Sequence, residues 1–127
     1  MDIKLYRCTH CGNIAIKVVD SGVSMVCCGD PMVELLPGEV DGAFEKHVPY
    51  VEVDGNAVNV QVGEAVHPMT PAHYIQCIVL VTTHGYQVAR LTANDNPLAM
   101  FALAEDDEPV KVYEYCNLHG LWVKDLQ

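Results

Sequence analysis

The chain has 127 residues, half of them hydrophobic, with a formal net charge of −10 when its histidines are neutral. That length bounds one ordinary domain, or a small one joined to a modest one, and a segment of about 40 residues would need a metal or disulfide staple because its own core is too small. The acidic balance, with no Lys/Arg run and no basic stripe, counts against nucleic acid and anionic membrane as partners.

The longest apolar stretch, residues 75–81, is interrupted by Gln76 and far too short to span a bilayer. The start, Met1-Asp2-Ile3-Lys4, has no basic region leading into an apolar one, so the expected compartment is the cytoplasm. There thiols stay reduced, and clustered cysteines hold metal more often than they form disulfides.

The first motif is a C-x-x-C knuckle, Cys8-Thr9-His10-Cys11-Gly12-Asn13. Two intervening residues let both sulfurs reach one metal, and Gly12 lets the chain turn with its amides near sulfur. A strand over residues 14–19 follows, ending at Asp20-Ser21-Gly22. The adjacent pair Cys27-Cys28 before Gly29 completes a tetrahedral four-sulfur set, although adjacent cysteines are unusual for a zinc ribbon. Four thiolates do not separate zinc from iron, a pair of disulfides is the weaker reading, and His10 is expected to be exposed and uninvolved. Leu36-Pro37-Gly38-Glu39 is a break, dividing a 1–37 domain from a 38–127 domain.

The second domain reads as all-β. Residues 51–53 and 58–62 flank Asp54-Gly55 as a hairpin, with Val58, Val60 and Val62 on one face and Asn59 and Gln61 on the other. Further strands are expected at 74–82, 86–91, 100–104 and 110–115, separated by turns at Thr83-His84-Gly85 and Asn94-Asp95-Asn96-Pro97. Residues 105–108 read as a solvated acidic loop. No stretch sustains helical periodicity for three turns, and several short strands with polar turns predict a β-sandwich.

Histidines and one cysteine recur at the strand ends: Glu45-Lys46-His47-Val48-Pro49, His67-Pro68-Met69, His73-Tyr74-Ile75 and Cys116-Asn117-Leu118-His119-Gly120. Loops at the end of a rigid β scaffold are good places for a metal. The C-x-x-H pair is the most telling, because its spacing suits two ligands on one metal; His84, a turn histidine with no partner motif, is expected on the surface. Imidazoles suit iron, zinc and copper, and a thiolate adds strong donation. Four nitrogens and one sulfur match neither an iron oxygenase triad nor a blue copper site. They leave one open position for a small ligand opposite the thiolate, where sulfur pushes electron density toward it. A ferrous ion with one thiolate carries a charge of about +1, which favours a small anion, and Lys46 extends that local field.

The ordered motifs C-x-x-C-G-N, C-C-G, E-K-H-V-P, H-P-M, H-Y-I and Y-C-N-L-H-G resemble the two-iron desulfoferrodoxins, or superoxide reductases, over essentially the whole chain. The resemblance implies a desulforedoxin-like domain followed by an immunoglobulin-like β-sandwich, the superoxide reductase domain. It implies a rubredoxin-like iron on Cys8, Cys11, Cys27 and Cys28, and a catalytic iron with His47, His67, His73 and His119 equatorial and Cys116 axial. It further implies that Glu45 can occupy the sixth position in the oxidised state, and that Lys46 attracts superoxide and helps protonate the peroxide. The implied partners are superoxide, a rubredoxin-like electron donor and a second copy of the chain in a homodimer. Where family members carry a tryptophan in the strand after the third histidine, this chain has Cys77, expected as a small buried residue. The competing expectation is a non-catalytic zinc- or iron-binding module, for interaction or electron transfer. It accounts for the four N-terminal cysteines but gives no reason for four histidines with Cys116.

Overall fold

The computed structural model describes residues 2–39 and 42–127. The chain forms two compact units, Asp2–Leu36 and Pro37–Gln127.

In the first unit, β1 (Leu5–Arg7) pairs antiparallel with β2 (Ile14–Ile16) and with β5 (Val33–Glu34), while β3 (Val26–Cys27) pairs with β4 (Asp30–Pro31). The strand expected over 14–19 stops at Ile16, and Val18 and Val19 are left exposed. The β3–β4 hairpin turns on two residues, Cys28 at φ 53° and Gly29 at φ 82°. Two successive positive φ angles are the signature of the tight hairpin turn whose twist matches its strands. Gly29 adopts that conformation freely, whereas Cys28 does so against its Cβ.

The second unit is a two-layer β-sandwich. One sheet has the order β10-β7-β6 and the other β12-β11-β8-β9. The strands are β6 (Pro49–Asp54), β7 (Ala57–Val62), β8 (Ile75–Thr82), β9 (Tyr86–Arg90), β10 (Leu98–Ala102), β11 (Pro109–Cys116) and β12 (Gly120–Asp125). Seven strands in sheets of three and four, packed face to face, are the immunoglobulin-like arrangement. A single helical turn, α1 (Phe44–His47), precedes β6.

Alternation decides which residues fill the space between the sheets. Val58, Val60 and Val62 face inward from β7 and meet Ile78 and Leu80 of β8, Val112 and Cys116 of β11, and Phe101 of β10. Each of the valine, leucine, isoleucine and phenylalanine side chains, when buried, contributes roughly 1.5–3 kcal/mol. The β6–β7 turn lies one residue later than Asp54-Gly55 suggests: Asp54 pairs with Ala57, and Gly55 at φ 59° leads the two-residue loop. The strand expected from residue 100 starts at Leu98, because the Val62 amide binds the Pro97 carbonyl at 2.9 Å and the ladder with β7 runs on from there. β12 and α1 carry no sequence signal: β12 follows a C-x-x-H motif rather than a turn cluster, and α1 is one turn long.

The acidic loop is exposed at Glu105, Asp106 and Glu108, with Asp107 half-buried. Asp107 accepts hydrogen bonds from the Thr83 hydroxyl at 2.7 Å and the His84 amide at 3.2 Å, tying the loop to the β8–β9 turn. Among the described residues, no helix is long and apolar enough to cross a membrane.

Candidate metal centres

Four sulfurs gather in the first unit. The Sγ atoms of Cys8, Cys11, Cys27 and Cys28 all lie within 4.8 Å of one another. The knuckle closes through Gly12 N–H to Cys8 O (3.0 Å) and Cys8 N–H to Asn13 O (2.9 Å), and Gly12 takes φ 82° to make the turn. Amides then point at sulfur, from Cys11 to Cys8 Sγ and from Asn13 to Cys11 Sγ, each at 3.5 Å. Amide hydrogen bonds from Cys11 and His10 draw the Cys8 thiol down to about 6, whereas the neighbouring Cys11 and Cys8 sulfurs push Cys28 up to about 12. Four sulfurs this close cannot all ionise without a cation among them, so the donor set fits a metal. His10 is exposed, in an ion pair with Asp30, and stands outside the sulfur set.

Five donors gather in the second unit: His47, His67, His73, His119 and Cys116, with ligand atoms all within 4.8 Å of one another. They come from α1, from the loop after β7, from the turn before β8 and from the β11–β12 hairpin. Antiparallel pairing puts these at one end of the sandwich, because β6 begins where β7 ends and β8 begins where β11 ends. The hairpin explains the C-x-x-H spacing. Cys116 pairs with Gly120 across a three-residue loop, and Gly120 at φ 80° turns the chain so that Cys116 and His119 face the same point.

The imidazoles form a closed circuit. Successive ring centroids are 4.8 Å apart for His47–His67, 4.6 Å for His67–His73, 4.9 Å for His73–His119 and 4.7 Å for His119–His47, each pair steeply inclined, at 74–81°. Cys116 Sγ lies 3.4 Å from His67 Nε2 and 3.8 Å from His119 Nδ1.

The tautomers follow from the hydrogen bonds. Nδ1–H of His47 donates to the Ala43 carbonyl at 2.8 Å and Nδ1–H of His67 to the Pro68 carbonyl at 2.6 Å, which leaves both Nε2 lone pairs facing the centre. His73 Nε2 is buried with no hydrogen-bond partner. An orphaned buried nitrogen, aimed where three other nitrogens and a sulfur converge, fits a metal ion. Burial holds His47, His67 and His73 below the ordinary histidine range, and the neighbouring imidazoles reinforce this. Neutral histidine is the ligating form. Burial pushes the Cys116 thiol up, opposed by the amides of Leu118 and His119, so a bound cation must draw off its proton. Both donor sets fit non-haem iron ions, one per set.

Glu45 and Lys46 sit on the exposed side of α1, while His47 is buried. The Glu45 carboxylate is outside the converging ligand atoms and borders a cleft of about 520 Å³ with Glu64 and Lys124. The charge of Lys46 is felt at His73, where it opposes protonation. His84 is exposed, and Cys77 is half-buried with its thiol pushed up to about 11 by burial.

Three further residues support the segments that carry the ligands. Asn117 accepts from the Tyr74 amide at 2.9 Å and donates to the Ala72 carbonyl at 3.1 Å, pinning the His73 segment to the Cys116–His119 hairpin. Trp122 stacks on His47. Gly63 lies against the backbone of α1. Of the three, Trp122 alone could have been suspected, from its place three residues after His119.

The histidines also set a pH dependence for the metal-free protein. His67 takes its proton only near 4 in the folded chain, against an ordinary 6.5. Between these values the unfolded chain binds more protons, so this contribution is present above about pH 6.5 and lost as pH falls toward 4. The melting temperature of chelator-treated protein should fall across that window. A flat melting temperature from pH 7 to 4.5 would contradict it.

Comparison with known proteins agrees with this two-part arrangement. The family model described as "Desulfoferrodoxin, N-terminal domain" matches residues 2–35, and that described as "Desulfoferrodoxin" matches residues 39–125. A desulfoferrodoxin of Syntrophotalea carbinolica is 44% identical over 121 residues, 94% of each chain. One of Nitratidesulfovibrio vulgaris is 43% identical over 119 residues, 94% of this chain and 93% of the relative. The crystal structure of the superoxide reductase from Treponema pallidum superposes with a TM-score of 0.84 at 37% identity, covering 98% of this chain and 100% of that one. Matches that run in order through both units, at this identity and over nearly the full length, place the chain in the desulfoferrodoxin family.

Proposed function

We propose that this chain is a superoxide reductase: it takes superoxide, one electron and two protons to hydrogen peroxide at the four-histidine, one-cysteine centre. The observation that carries the reading is the convergence of four imidazoles and one thiol, with no carboxylate among the converging atoms of the described residues. Relatives named superoxide reductase support it, in Treponema pallidum and in Pyrococcus abyssi.

Iron held by His47, His67, His73, His119 and Cys116 would supply the one-electron chemistry and a Lewis-acid site for a small anion. The chain supplies the rest. Nδ1–H bonds to Ala43 and Pro68 hold His47 and His67 with Nε2 lone pairs inward. Cys116 adds thiolate donation from a fully buried position, tempered by the amides of Leu118 and His119 that bond to its sulfur. Lys46, one residue from His47 on an exposed turn, attracts the anion against the acidic background and orders the proton donor for the product. Glu45, its neighbour on the exposed side of the same turn, is the carboxylate near enough in sequence to serve as a further ligand to an oxidised metal. Cys8, Cys11, Cys27 and Cys28 hold the second iron in the desulforedoxin-like domain, residues 1–37, ahead of the superoxide reductase domain, residues 38–127. A rubredoxin-like protein in the cytoplasm returns the electron, and the family resemblance makes a homodimer the assembly to expect.

Metal analysis with a visible spectrum tests the reading. Two irons per chain are expected, with a thiolate-to-iron band that bleaches on reduction and returns on adding superoxide. A protein that takes only zinc, and stays inert to superoxide after iron loading, would leave a non-catalytic metal-binding module instead.

Lys46→Ala should slow reoxidation of the reduced protein by superoxide about tenfold, the low end of electrostatic steering, and flatten its dependence on ionic strength. Stopped-flow or pulse-radiolysis rates across salt concentrations measure both. Unchanged rates would remove Lys46 from the mechanism.

A further inference from the structure

Trp122 touches two candidate ligands that come from different parts of the fold. Its indole stacks on the His47 imidazole of α1, with centroids 5.1 Å apart and planes 27° from parallel. Its Nε1–H donates to the His119 carbonyl, in the β11–β12 hairpin, at 3.0 Å. The two imidazoles it bridges approach to 3.0 Å between His47 Nε2 and His119 Nδ1.

A second aromatic ring also packs against the indole. Phe44 meets Trp122 edge-on, with centroids 5.3 Å apart and planes at 80°. Phe44 is 71% exposed, so burial alone does not explain an aromatic residue on this turn. Gly42 fills the remaining corner. A Cβ there would come within 3.1 Å of both His47 Cε1 and Trp122 Cζ2, so a larger residue would crowd the ring and the indole together. The His47 ring is therefore constrained by its Nδ1–H bond to Ala43, by a stacked indole and by close-packed backbone.

We propose that Trp122 is a positioning residue of the four-histidine, one-cysteine centre, locking the His47 imidazole relative to His119, with Phe44 and Gly42 completing the clamp, and so setting the affinity and one-electron potential of the iron held there. Groups that orient a ligand without touching the metal govern affinity in just this way. The inference rests on iron occupying this centre.

The test compares Trp122→Phe, Trp122→Leu and Phe44→Ala with the wild-type chain, all loaded with iron. Three quantities are read: the potential of the centre, its thiolate-to-iron band and its iron retention against a chelator. Far-UV circular dichroism and thermal melting report intact folding of the sandwich, which the four-cysteine spectrum of the separate first unit cannot do. Trp122→Leu removes both stack and donor, and iron retention should fall about 10–100-fold. A tenfold change in the ferric-to-ferrous preference would move the potential by about 59 mV. Trp122→Phe keeps an aromatic face and should recover most of the loss, and Phe44→Ala should show a smaller shift in the same direction. Trp122 is the sole tryptophan, so its emission should also fall when iron loads the wild-type centre.

Wild-type potential, band and retention in all three variants would reduce Trp122 to core filler and overturn the clamp. If Trp122→Leu fails to fold, Trp122→Phe and Phe44→Ala decide on the same readouts. A wild-type chain that holds no iron at this centre overturns the functional reading and the clamp together, whereas a wild-type band with unchanged variants overturns the clamp alone.

Discussion

Cys116→Ser should abolish the thiolate-to-iron absorption of the second centre while leaving the four-cysteine spectrum unchanged. Cys116 is fully buried at the end of β11, and its sulfur approaches His67 Nε2 and His119 Nδ1. The serine hydroxyl is nearly isosteric, so the hairpin and the histidine circuit should persist. It is a far weaker acid and a harder donor, so it would supply neither the charge nor the polarisable electron density of a thiolate. Iron retention should fall beyond the roughly 10–100-fold that changes in outer-shell groups cost. Wild-type apoprotein should also release a proton on iron loading that the variant does not, because burial keeps the Cys116 thiol protonated until the cation arrives. Absorption, iron titration and proton release in weak buffer check the three parts. A persisting visible band would exclude Cys116 as the sulfur donor.

Gly63→Ala should damage the same centre without altering any donor. A Cβ on Gly63 would lie 2.7 Å from Glu45 O, 2.8 Å from Lys46 C and 2.9 Å from Val48 O. All three are backbone atoms of the segment that carries His47, so no flexible side chain can swing away. The Ala65 amide ties the same loop to Glu45 O at 2.7 Å, which limits how far α1 can retreat. The added methyl should cost roughly 1–3 kcal/mol of stability as overpacking. Displacing His47 from His67 and His119 should lower the iron content of the second centre well below one per chain, with the four-cysteine centre still filled. Thermal melting and metal analysis measure the two effects. Full iron content with wild-type stability would show that α1 moves freely.

Much of the fold was legible in the sequence. The valines of β7 alternate with Asn59 and Gln61, and in the sandwich Val58, Val60 and Val62 are buried while the polar pair faces away. Alternation is a local property, fixed by the strand period of two. Strand ends were less legible, because they depend on the partner. β10 begins two residues early on account of its ladder with β7, and β12 exists because β11 offers it an edge.

The sequence by itself determined the donor inventory: four clustered thiols, four histidines and one later cysteine, each in a short motif at a turn. It also determined the family, since the ordered motifs span both units. Spacing within C-x-x-C and C-x-x-H is short enough for the local backbone to bring two donors together. Tertiary structure decided what local backbone cannot. Antiparallel pairing carries α1, the β7 loop, the turn before β8 and the β11–β12 hairpin to one end of the sandwich, so that donors up to 72 residues apart meet. Tertiary structure also decided which nitrogen each ring presents, because the Ala43 and Pro68 carbonyls that take the Nδ1 protons have no sequence signature. It assigned Asn117, Trp122 and Gly63 their supporting places, since close approach and stacking are properties of packed neighbours and not of any one segment.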